Sequence, residues 1–328
     1  MRNVTFVRAL NEALAEEMKR DASVFLVGED IADCGGVFGV TAGMLSRFGR
    51  RRVRQTPISE AAFMGLAVGA AMTGLRPVAE VMYVDFVTVC MDQILNQAAK
   101  LRYMSGGQLT IPLVIRTQQG GGTCEAAQHS QSLEAVFSHV PGLKVAIPAT
   151  PYDAKGLLKS AIRDDNPVVF LEHKLLYETK GEMPREEYLI PLGEAEVKRE
   201  GTDVTVVATS LMVHKALAAA EALADEISVE VIDPRTLVPL DFHCVAESVR
   251  KTGRLLVVQE ACTSGGFGSE IVRRVTEECF ETLKVAPRVH GSADVPMPFS
   301  PPLEQAVLPQ EETIVAAIRS VAERAMTP

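Results

Sequence analysis

Tryptophan is absent from this 328-residue sequence, and aromatic residues make up only 5% of it. A platform of aromatic side chains on which bases stack is therefore not expected. Basic residues are also in the minority, with 33 Lys and Arg against 42 Asp and Glu and a formal net charge of −9. Because proteins that bind nucleic acids need a positive surface to meet the phosphates, nucleic-acid binding is not predicted as the main role.

The cysteines form no C-x-x-C pair, since they stand apart at positions 34, 90, 124, 244, 262 and 279. This spacing indicates neither a zinc site nor a disulfide framework, and it fits a reducing, cytoplasmic compartment best. No run of about 18 uninterrupted apolar residues is present. The start MRNVTFVRALNEALAEE has polar residues where a signal peptide needs an apolar core. We therefore expect a cytoplasmic protein without a membrane anchor.

The common nucleotide-binding and hydrolase motifs are missing as well. The sequence contains no G-x-x-x-x-G-K-[ST], H-E-x-x-H or G-x-S-x-G pattern. Glycines cluster at residues 35–39, 120–122 and 265–270, but none of these clusters completes a G-x-G-x-x-G pattern after a strand. A plain turn is the favoured interpretation of each cluster, because the commonest use of glycine is a positive φ angle.

Apolar strands and amphipathic helices alternate along the first half of the chain. Residues 5–20 repeat apolar side chains at steps of four, which predicts a helix with Thr5 as its N-cap. The run VFLVG (24–28) predicts a buried strand, and residues 85–103 predict one long helix. Continuous apolar strands between helices are typical of a mostly parallel sheet covered on both faces.

A polar, irregular stretch separates this block from a second, smaller one. We expect a first domain at residues 1–180, a linker at 181–200 and a second α/β domain at 201–328. The second block again alternates strands such as DVTVVATS with helices such as HKALAAAEALADE. The predicted fold class is therefore α/β, with two open, mostly parallel sheets flanked by helices.

Glu60 stands at the start of a helix that has no charge from residue 61 to residue 75. Taken alone, a carboxylate at this position is explained by the helix macrodipole, which favours acidic residues in the first turn. The lack of charge in the rest of the helix is unusual for an element that faces solvent. We therefore expect this helix to be buried in a core or in an interface.

His129 lies in a polar loop between a strand and a helix, flanked by glutamine and serine residues. A lone histidine in such a loop is explained equally well by a hydrogen-bonded structural role and by a binding or catalytic role, since loops concentrate functional groups. The other five histidines have no comparable setting, and a structural role is expected for them.

Several long motifs in order along the chain resemble one known family. They are RxxxTPISE, AVGAAMTGLRPVAEVM, DQILNQAAKLRYMSGG, AAQHSQSLEA, PGLKVAIPATPYDAKGLLKSAIRDDNPVVFLEHK, VIDPRTLVPLD and ADVPMPFSPPLE. Together they cover nearly the whole chain and are similar to the beta subunit of thiamin-diphosphate-dependent 2-oxo acid dehydrogenases, the first component of the pyruvate, branched-chain and acetoin dehydrogenase complexes. The resemblance implies a transketolase-like fold, with a pyrimidine-binding domain followed by a transketolase C-terminal domain.

The family also accounts for a missing motif. Its cofactor, thiamin diphosphate, is held through Mg²⁺ and a G-D-G motif, and this sequence contains no G-D-G. The resemblance implies that an alpha subunit holds the Mg²⁺ and the diphosphate, and that this chain supplies the aminopyrimidine half of the site. Two alpha and two beta chains would form a heterotetramer, whose acyl acceptor is the lipoyl group of a separate acyltransferase core protein.

Five positions match functional residues of the family. Glu60 resembles the glutamate that hydrogen-bonds a pyrimidine nitrogen and activates the cofactor, whose own chemistry does the rest. His129 matches a histidine that faces the substrate and helps acyl transfer to the lipoyl group, as a proton donor near neutral pH. Ile58, Met82 and Phe86 match residues that line the pyrimidine pocket. Met82 and Phe86 replace the Gln and Tyr of the branched-chain enzyme, which makes this pocket more apolar.

Relatives also hold a potassium ion near the end of the segment AIRDDNP. The resemblance places this site at Leu113, Ala161, Ile162, Asp164 and Asn166. A second explanation of the acidic and amide residues is that they end a helix before Pro167, a position that suits their types. Both explanations remain open, since hard cations ask only for oxygen ligands.

The sequence therefore predicts a beta subunit that decarboxylates a 2-oxo acid, or cleaves acetoin, and passes the acyl group to a lipoyl carrier. The alternatives are a non-catalytic scaffold subunit and another transketolase-type enzyme, such as a deoxyxylulose-phosphate synthase-like chain. The substrate stays undecided among pyruvate, acetoin and branched-chain 2-oxo acids. A difference of one methylene changes binding by only about 1–3 kcal/mol.

Overall fold

The computed structural model describes residues 1–323 and divides the chain into two compact units. The first unit consists of Met1–Gln119 and Val136–Leu192, and the second consists of Gly120–Ala135 and the chain from Gly193 onward. In the sequence, the segment 120–135 of the second unit thus lies between the two parts of the first unit. The predicted boundaries at residues 180 and 201 stay a prediction, and residues 324–328 of the predicted C-terminal domain lie outside the described residues.

The central sheet of the first unit is parallel and almost wholly buried. Its strands lie in the order β6-β7-β5-β4-β2-β3, and each neighbouring pair is parallel. A separate antiparallel pair joins β1 and β8. The strands of this unit are β1 (Arg2–Thr5), β2 (Val24–Glu29), β3 (Val53–Thr56), β4 (Arg76–Val81), β5 (Val114–Gln119), β6 (Lys144–Ala146), β7 (Val168–His173) and β8 (Lys180–Met183).

The first predicted helix is confirmed as α1 (Phe6–Arg20), and the Thr5 side chain accepts a hydrogen bond from the Arg8 backbone N–H at 3.3 Å. The following helices are α2 (Met44–Phe48), α3 (Glu60–Met72), α4 (Ala99–Met104), α5 (Glu134–Ser138) and α6 (Pro151–Arg163). Short 3₁₀ turns cover Val84–Cys90 and Lys174–Leu176, and a π-helical segment covers Gln93–Ala98.

The segment predicted as one long helix at residues 85–103 is helical throughout, but it is not one regular α-helix. A 3₁₀ segment, a π-helical segment and α4 follow one another there. The first segment, VDFVTVC, holds four β-branched residues among seven. Such side chains lose rotamer freedom against the preceding helical turn, which lowers their helix propensity.

The second unit has its own sheet, in the order β14-β13-β10-β11-β9. Three of its four strand pairings are parallel, and the fourth, between β9 and β11, is antiparallel. The strands are β9 (Glu196–Arg199), β10 (Val204–Ala208), β11 (Val229–Asp233), β12 (Thr236–Val238), β13 (Leu255–Cys262) and β14 (Arg288–Ser292). The helices are α7 (Leu211–Ala222), α8 (Phe242–Thr252), α9 (Gly268–Cys279), α10 (Pro301–Val307) and α11 (Glu311–Glu323), with a 3₁₀ turn at Phe280–Thr282.

Both sheets with their flanking helices match the predicted α/β class. In the second unit, α8 and α9 pack on β10 and β13 through one apolar cluster that includes Val249, Val257 and Ile271. Strands buried on both faces explain why the sequence shows continuous apolar runs instead of alternation. Within residues 1–323, no helix is both long and apolar enough to span a membrane.

Candidate functional site

The carboxyl edge of the first parallel sheet has a point where the strand order changes direction. The chain goes from β2 to β3 on one side, and then crosses through α3 to β4 on the other side of β2. In open α/β sheets, ligands bind outside the carboxyl ends of the strands at such a point. A ligand-binding site is therefore expected at the segments that follow β2, β3 and β4.

Glu60 lies at this edge as the first residue of α3, and its side chain is buried with 8% exposure. The side chain of the N-cap residue Ser59 makes no capping hydrogen bond. The helix beyond Glu60 buries Phe63, Met64 and Ala67, and it contains no charged residue. A carboxyl group is thus held in mostly apolar surroundings at a helix N-terminus.

Glu29 is a second acidic residue at the same edge, and no sequence pattern marks it as a site residue. It ends β2, its exposure is 8%, and its Oε1 atom has no hydrogen-bond partner among the described residues. Burial, together with the charges of Glu60 and Asp30, raises the pKa of Glu29 to about 7. Near neutral pH, Glu29 therefore exchanges a proton easily while facing the charge of Glu60.

The same two carboxylates affect the pKa of the Cys90 thiol. Burial and the charge of Glu60 raise the pKa of the Cys90 thiol to about 12, and the charge of Glu29 adds to this shift. The Cys90 thiol also donates a hydrogen bond to the Val87 carbonyl at 3.3 Å. A thiol of this kind stays protonated at neutral pH and is not a nucleophile.

The three predicted pocket-lining residues lie at the same edge. Ile58 follows β3 and is 82% exposed, while Met82 and Phe86 follow β4 and are half-buried. An isoleucine this exposed at the edge of a buried sheet offers an apolar contact to a bound group. The structure thus places Ile58, Glu60, Met82 and Phe86 after neighbouring strands, although their roles stay predictions.

The residues of this edge fit the aminopyrimidine half of thiamin diphosphate. An aminopyrimidine presents ring nitrogens and an amino group at its rim, and apolar faces above and below. Glu60 and the unpartnered Oε1 of Glu29 suit the rim, while Ile58 and Met82 suit the faces. Among the described residues, no group of three or more His, Cys, Asp or Glu side chains could hold a metal ion.

His129 belongs to the second unit, in the loop of residues 120–131. The loop is closed by a hydrogen bond from the Gly120 N–H to the Gln131 carbonyl at 3.0 Å, and the His129 side chain is half-buried. Two non-glycine residues of this loop, Cys124 and Ala126, have φ angles of 58° and 60°. Side chains with a Cβ rarely adopt this conformation, so other contacts must hold the loop.

A cavity of about 400 Å³ opens beside the His129 loop within the second unit. Burial raises the pKa of the neighbouring Glu134 carboxyl to about 7, and the charge of Glu260 contributes. The lining combines serine hydroxyls with apolar side chains: Ala127, Ser130, Gln131, Ser132, Leu133, Glu260, Ala261, Cys262, Ser292, Ala293, Val295, Pro296, Met297 and Val307. No lysine or arginine is among these residues.

The predicted potassium ligands are engaged with protein partners. The carbonyls of Ile162 and Asp164 accept hydrogen bonds from Arg76 at 3.1 and 3.0 Å. The Asp164 carboxylate accepts two hydrogen bonds from Asn166 at 2.8 Å and forms an ion pair with Lys144 at 2.5 Å. The pKa of Asp164 is lowered because these hydrogen bonds and the Lys144 charge outweigh its burial. Two cationic side chains thus meet these oxygens, and the potassium site stays a prediction.

Comparison with known proteins identifies the family. Residues 2–180 match the family described as the transketolase pyrimidine binding domain, and residues 193–314 match the transketolase C-terminal domain. Among solved structures, a chain described as a split-gene transketolase in an inactive beta4 tetramer has a TM-score of 0.80 and 24% identity. The match covers 98% of this chain and 99% of that chain, and it shows that the fold is transketolase-like.

Curated relatives are similar over almost the whole chain. The beta subunit of the acetoin:2,6-dichlorophenolindophenol oxidoreductase of Cupriavidus necator is 50% identical, covering 97% of each chain. The 2-oxoisovalerate dehydrogenase subunit beta of Bacillus subtilis is 45% identical over 98% of this chain and 99% of its own length. The pyruvate dehydrogenase E1 component subunit beta of Rhizobium meliloti is 46% identical over 98% of this chain and 70% of its own. The chain therefore belongs to the family of the beta subunits of 2-oxo acid and acetoin dehydrogenases, as its sequence motifs predicted.

Proposed function

We propose that this chain is the beta subunit of a thiamin-diphosphate-dependent dehydrogenase. With an alpha subunit it forms a heterotetramer that decarboxylates a 2-oxo acid, or cleaves acetoin, and transfers the acyl group to the lipoyl group of an acyltransferase core protein. The complex acts in the cytoplasm. Relatives named for acetoin, 2-oxoisovalerate and pyruvate all share 45–50% of their residues with this chain, so identity alone does not select one substrate.

The observation that supports this proposal most is the pair of Glu60 and Glu29 at the carboxyl edge of the first sheet. Bound thiamin diphosphate supplies the carbanion chemistry of these enzymes. Glu60 would accept or share a proton at a pyrimidine nitrogen, which its buried position at the carboxyl edge of the sheet allows. Glu29, with its pKa raised to about 7 by burial and by the charge of Glu60, would exchange that proton near neutral pH.

An alpha subunit is needed for the other half of the cofactor. This chain lacks the G-D-G motif through which the family binds Mg²⁺ and the diphosphate, so the alpha subunit would hold them. The outer face of α3 supports a partner, because it is exposed and uncharged. Its exposed residues include Ala61, Ala62 and Gly69, which allow another backbone to approach closely, and Leu66, which offers an apolar contact. His129 would act after acyl formation, as the proton donor that assists transfer to the lipoyl sulfur.

Calorimetry with thiamin diphosphate and Mg²⁺ tests the proposal directly. We expect weak or no binding to this chain alone, and binding at micromolar Kd or tighter once a purified alpha subunit is added. Activity of the reconstituted complex is then measured with pyruvate, acetoin and 3-methyl-2-oxobutanoate. Micromolar binding to the chain alone contradicts the shared site. Reconstitution without any turnover on the three substrates would instead favour a scaffold role.

A further inference from the structure

One buried carboxylate accepts hydrogen bonds from the loop of residues 120–131. Glu304, in α10, is 2% exposed and belongs to the same unit as the loop. Its Oε1 atom accepts a hydrogen bond from the Gly122 N–H at 2.9 Å. The Cys124 N–H lies 3.2 Å from Oε1 and 3.1 Å from Oε2, and the Cys124 thiol donates to Oε2 at 3.2 Å. Three donors of the loop thus converge on one side chain.

These hydrogen bonds fall where the loop backbone is least favourable. Cys124 has a φ angle of 58°, and Gly122 has one of 90°. A residue with a Cβ keeps a left-handed conformation only when its surroundings over-determine it. The Cys124 N–H bonded to both carboxylate oxygens supplies this restraint. The same contact raises the pKa of the Cys124 thiol through its hydrogen bond to Glu304.

A second carboxylate fixes the start of the loop. Glu260, near the end of β13, accepts a hydrogen bond from the Gly121 N–H at 2.7 Å. A Cβ at Gly121 would lie 3.2 Å from both Leu308 Cδ1 and Met297 Cε, so the backbone approaches the two flanks of α10 closely. Glycine at position 121 makes this approach possible. The loop is therefore docked on α10 by packing as well as by hydrogen bonds.

We propose that Glu304 is the positioning residue for His129, acting through the loop backbone. This inference rests on the role of His129 in acyl transfer given under the proposed function. Glu304 does not touch the reacting groups. It fixes the left-handed turn at Cys124, five residues before His129, and so limits the positions that the imidazole can reach. Because misplacement of about 1 Å can cost a hundredfold in rate, holding the loop has catalytic consequences.

A carboxylate suits this position because the three groups of the loop that hydrogen-bond to it are all donors. A glutamine at position 304 keeps the shape, but its amino group would point at one of the N–H donors and only one oxygen would accept. Glu304→Asp keeps the charge but withdraws it by about one C–C bond, so it cannot span both Gly122 and Cys124. Glu311→Gln is the matched control, because Glu311 is exposed in the neighbouring helix α11 and has no contact with the loop.

The experiment compares Glu304→Gln, Glu304→Asp, His129→Gln and Glu311→Gln in the complex reconstituted with an alpha subunit. Hydrogen exchange measures the loop amides of residues 121–129, and two assays separate the chemical steps. Reduction of 2,6-dichlorophenolindophenol reports substrate cleavage without a lipoyl acceptor, and acylation of a lipoyl domain reports transfer. We expect at least tenfold faster loop exchange in both Glu304 variants. Lipoyl acylation should fall ten- to hundredfold, while dye reduction changes less than threefold. Glu311→Gln should match the wild type.

The possible results separate two failures. If His129→Gln slows lipoyl acylation while both Glu304 variants keep wild-type transfer or wild-type loop exchange, the positioning role is overturned and the role of His129 stands. If His129→Gln leaves lipoyl acylation unchanged, the proposed role of His129 itself is wrong, and the positioning role falls with it. A parallel loss of dye reduction and lipoyl acylation in the Glu304 variants would mean a general structural defect, which also contradicts the proposal.

Discussion

Arg116 holds Glu172 through two parallel hydrogen bonds, from Nε to Oε1 and from Nη2 to Oε2, each 2.7 Å long. The same guanidinium donates from Nη1 to Glu80 at 2.6 Å, and the Tyr177 hydroxyl donates to Glu172 at 2.7 Å. Arg116 and Glu172 are 1% and 0% exposed. Burial alone would lower the pKa of Arg116, but the charges of Glu172 and Glu80 raise it above its usual value. Arg116 on β5 therefore pairs with two buried carboxylates, Glu80 on β4 and Glu172 on β7.

Replacing Arg116 with methionine should destabilise the first unit by about 3–5 kcal/mol. The methionine fills most of the volume, but it leaves two buried carboxylates without their counter-ion. Urea denaturation followed by circular dichroism measures the change in the free energy of unfolding. Tyr177→Phe is the matched comparison, because it removes only one hydrogen bond to a charged group and should cost about 1.5–3 kcal/mol. A smaller loss for Arg116→Met than for Tyr177→Phe would contradict this account of the core.

Glu29 should make the stability of the first unit depend on pH. Its pKa is raised by burial from the ordinary value of 4.5 to about 7, so the folded protein binds the extra proton between these values. A group of this kind favours the folded state below pH 4.5, and its contribution is lost as the pH rises through 7. Glu29→Gln removes this loss. The free energy of unfolding of the variant, relative to that of the wild type, should therefore rise by about 1–2 kcal/mol between pH 5 and pH 8. This figure allows for partial solvent screening.

Urea denaturation at pH 5 and pH 8 gives this comparison. Glu178→Gln is a suitable control, since Glu178 is exposed and the substitution changes the charge equally. An equal shift in both variants would assign the effect to net charge and not to the buried position of Glu29.

Glu60→Gln should leave folding and assembly intact and lower the rate of the assembled complex by two to four powers of ten, roughly the range for a lost general acid or base. The amide keeps the shape and one hydrogen bond, but it cannot exchange a proton with the pyrimidine. Proton–deuterium exchange at the thiazolium carbon of the bound cofactor should slow in parallel. Near-normal exchange and turnover, with assembly verified by sedimentation, would mean that Glu60 has no catalytic role and is only an acidic residue at the start of a helix.

The sequence by itself determined the secondary elements whose signals are local. The apolar stripe and the Thr5 cap predict α1 correctly, and the continuous apolar run VFLVG predicts β2. The absence of charge marks α3, and ordered motifs identify the family over nearly the whole chain. These features depend on periodicity and on residues within one or two turns, so no long-range contact is needed to recognise them.

Only the tertiary structure decided which distant groups meet. Glu29 is an ordinary acidic residue at the end of a strand until the parallel pairing of β2 with β3 sets it opposite Thr56, four residues before Glu60. There, burial and like charge raise its pKa. Glu304 holds Cys124 from 180 positions farther along the chain, and the sequence around either residue gives no sign of it. The reason is that burial and charge pairing are set by the packing of strands and helices, while a local pattern records only which face of one element is apolar.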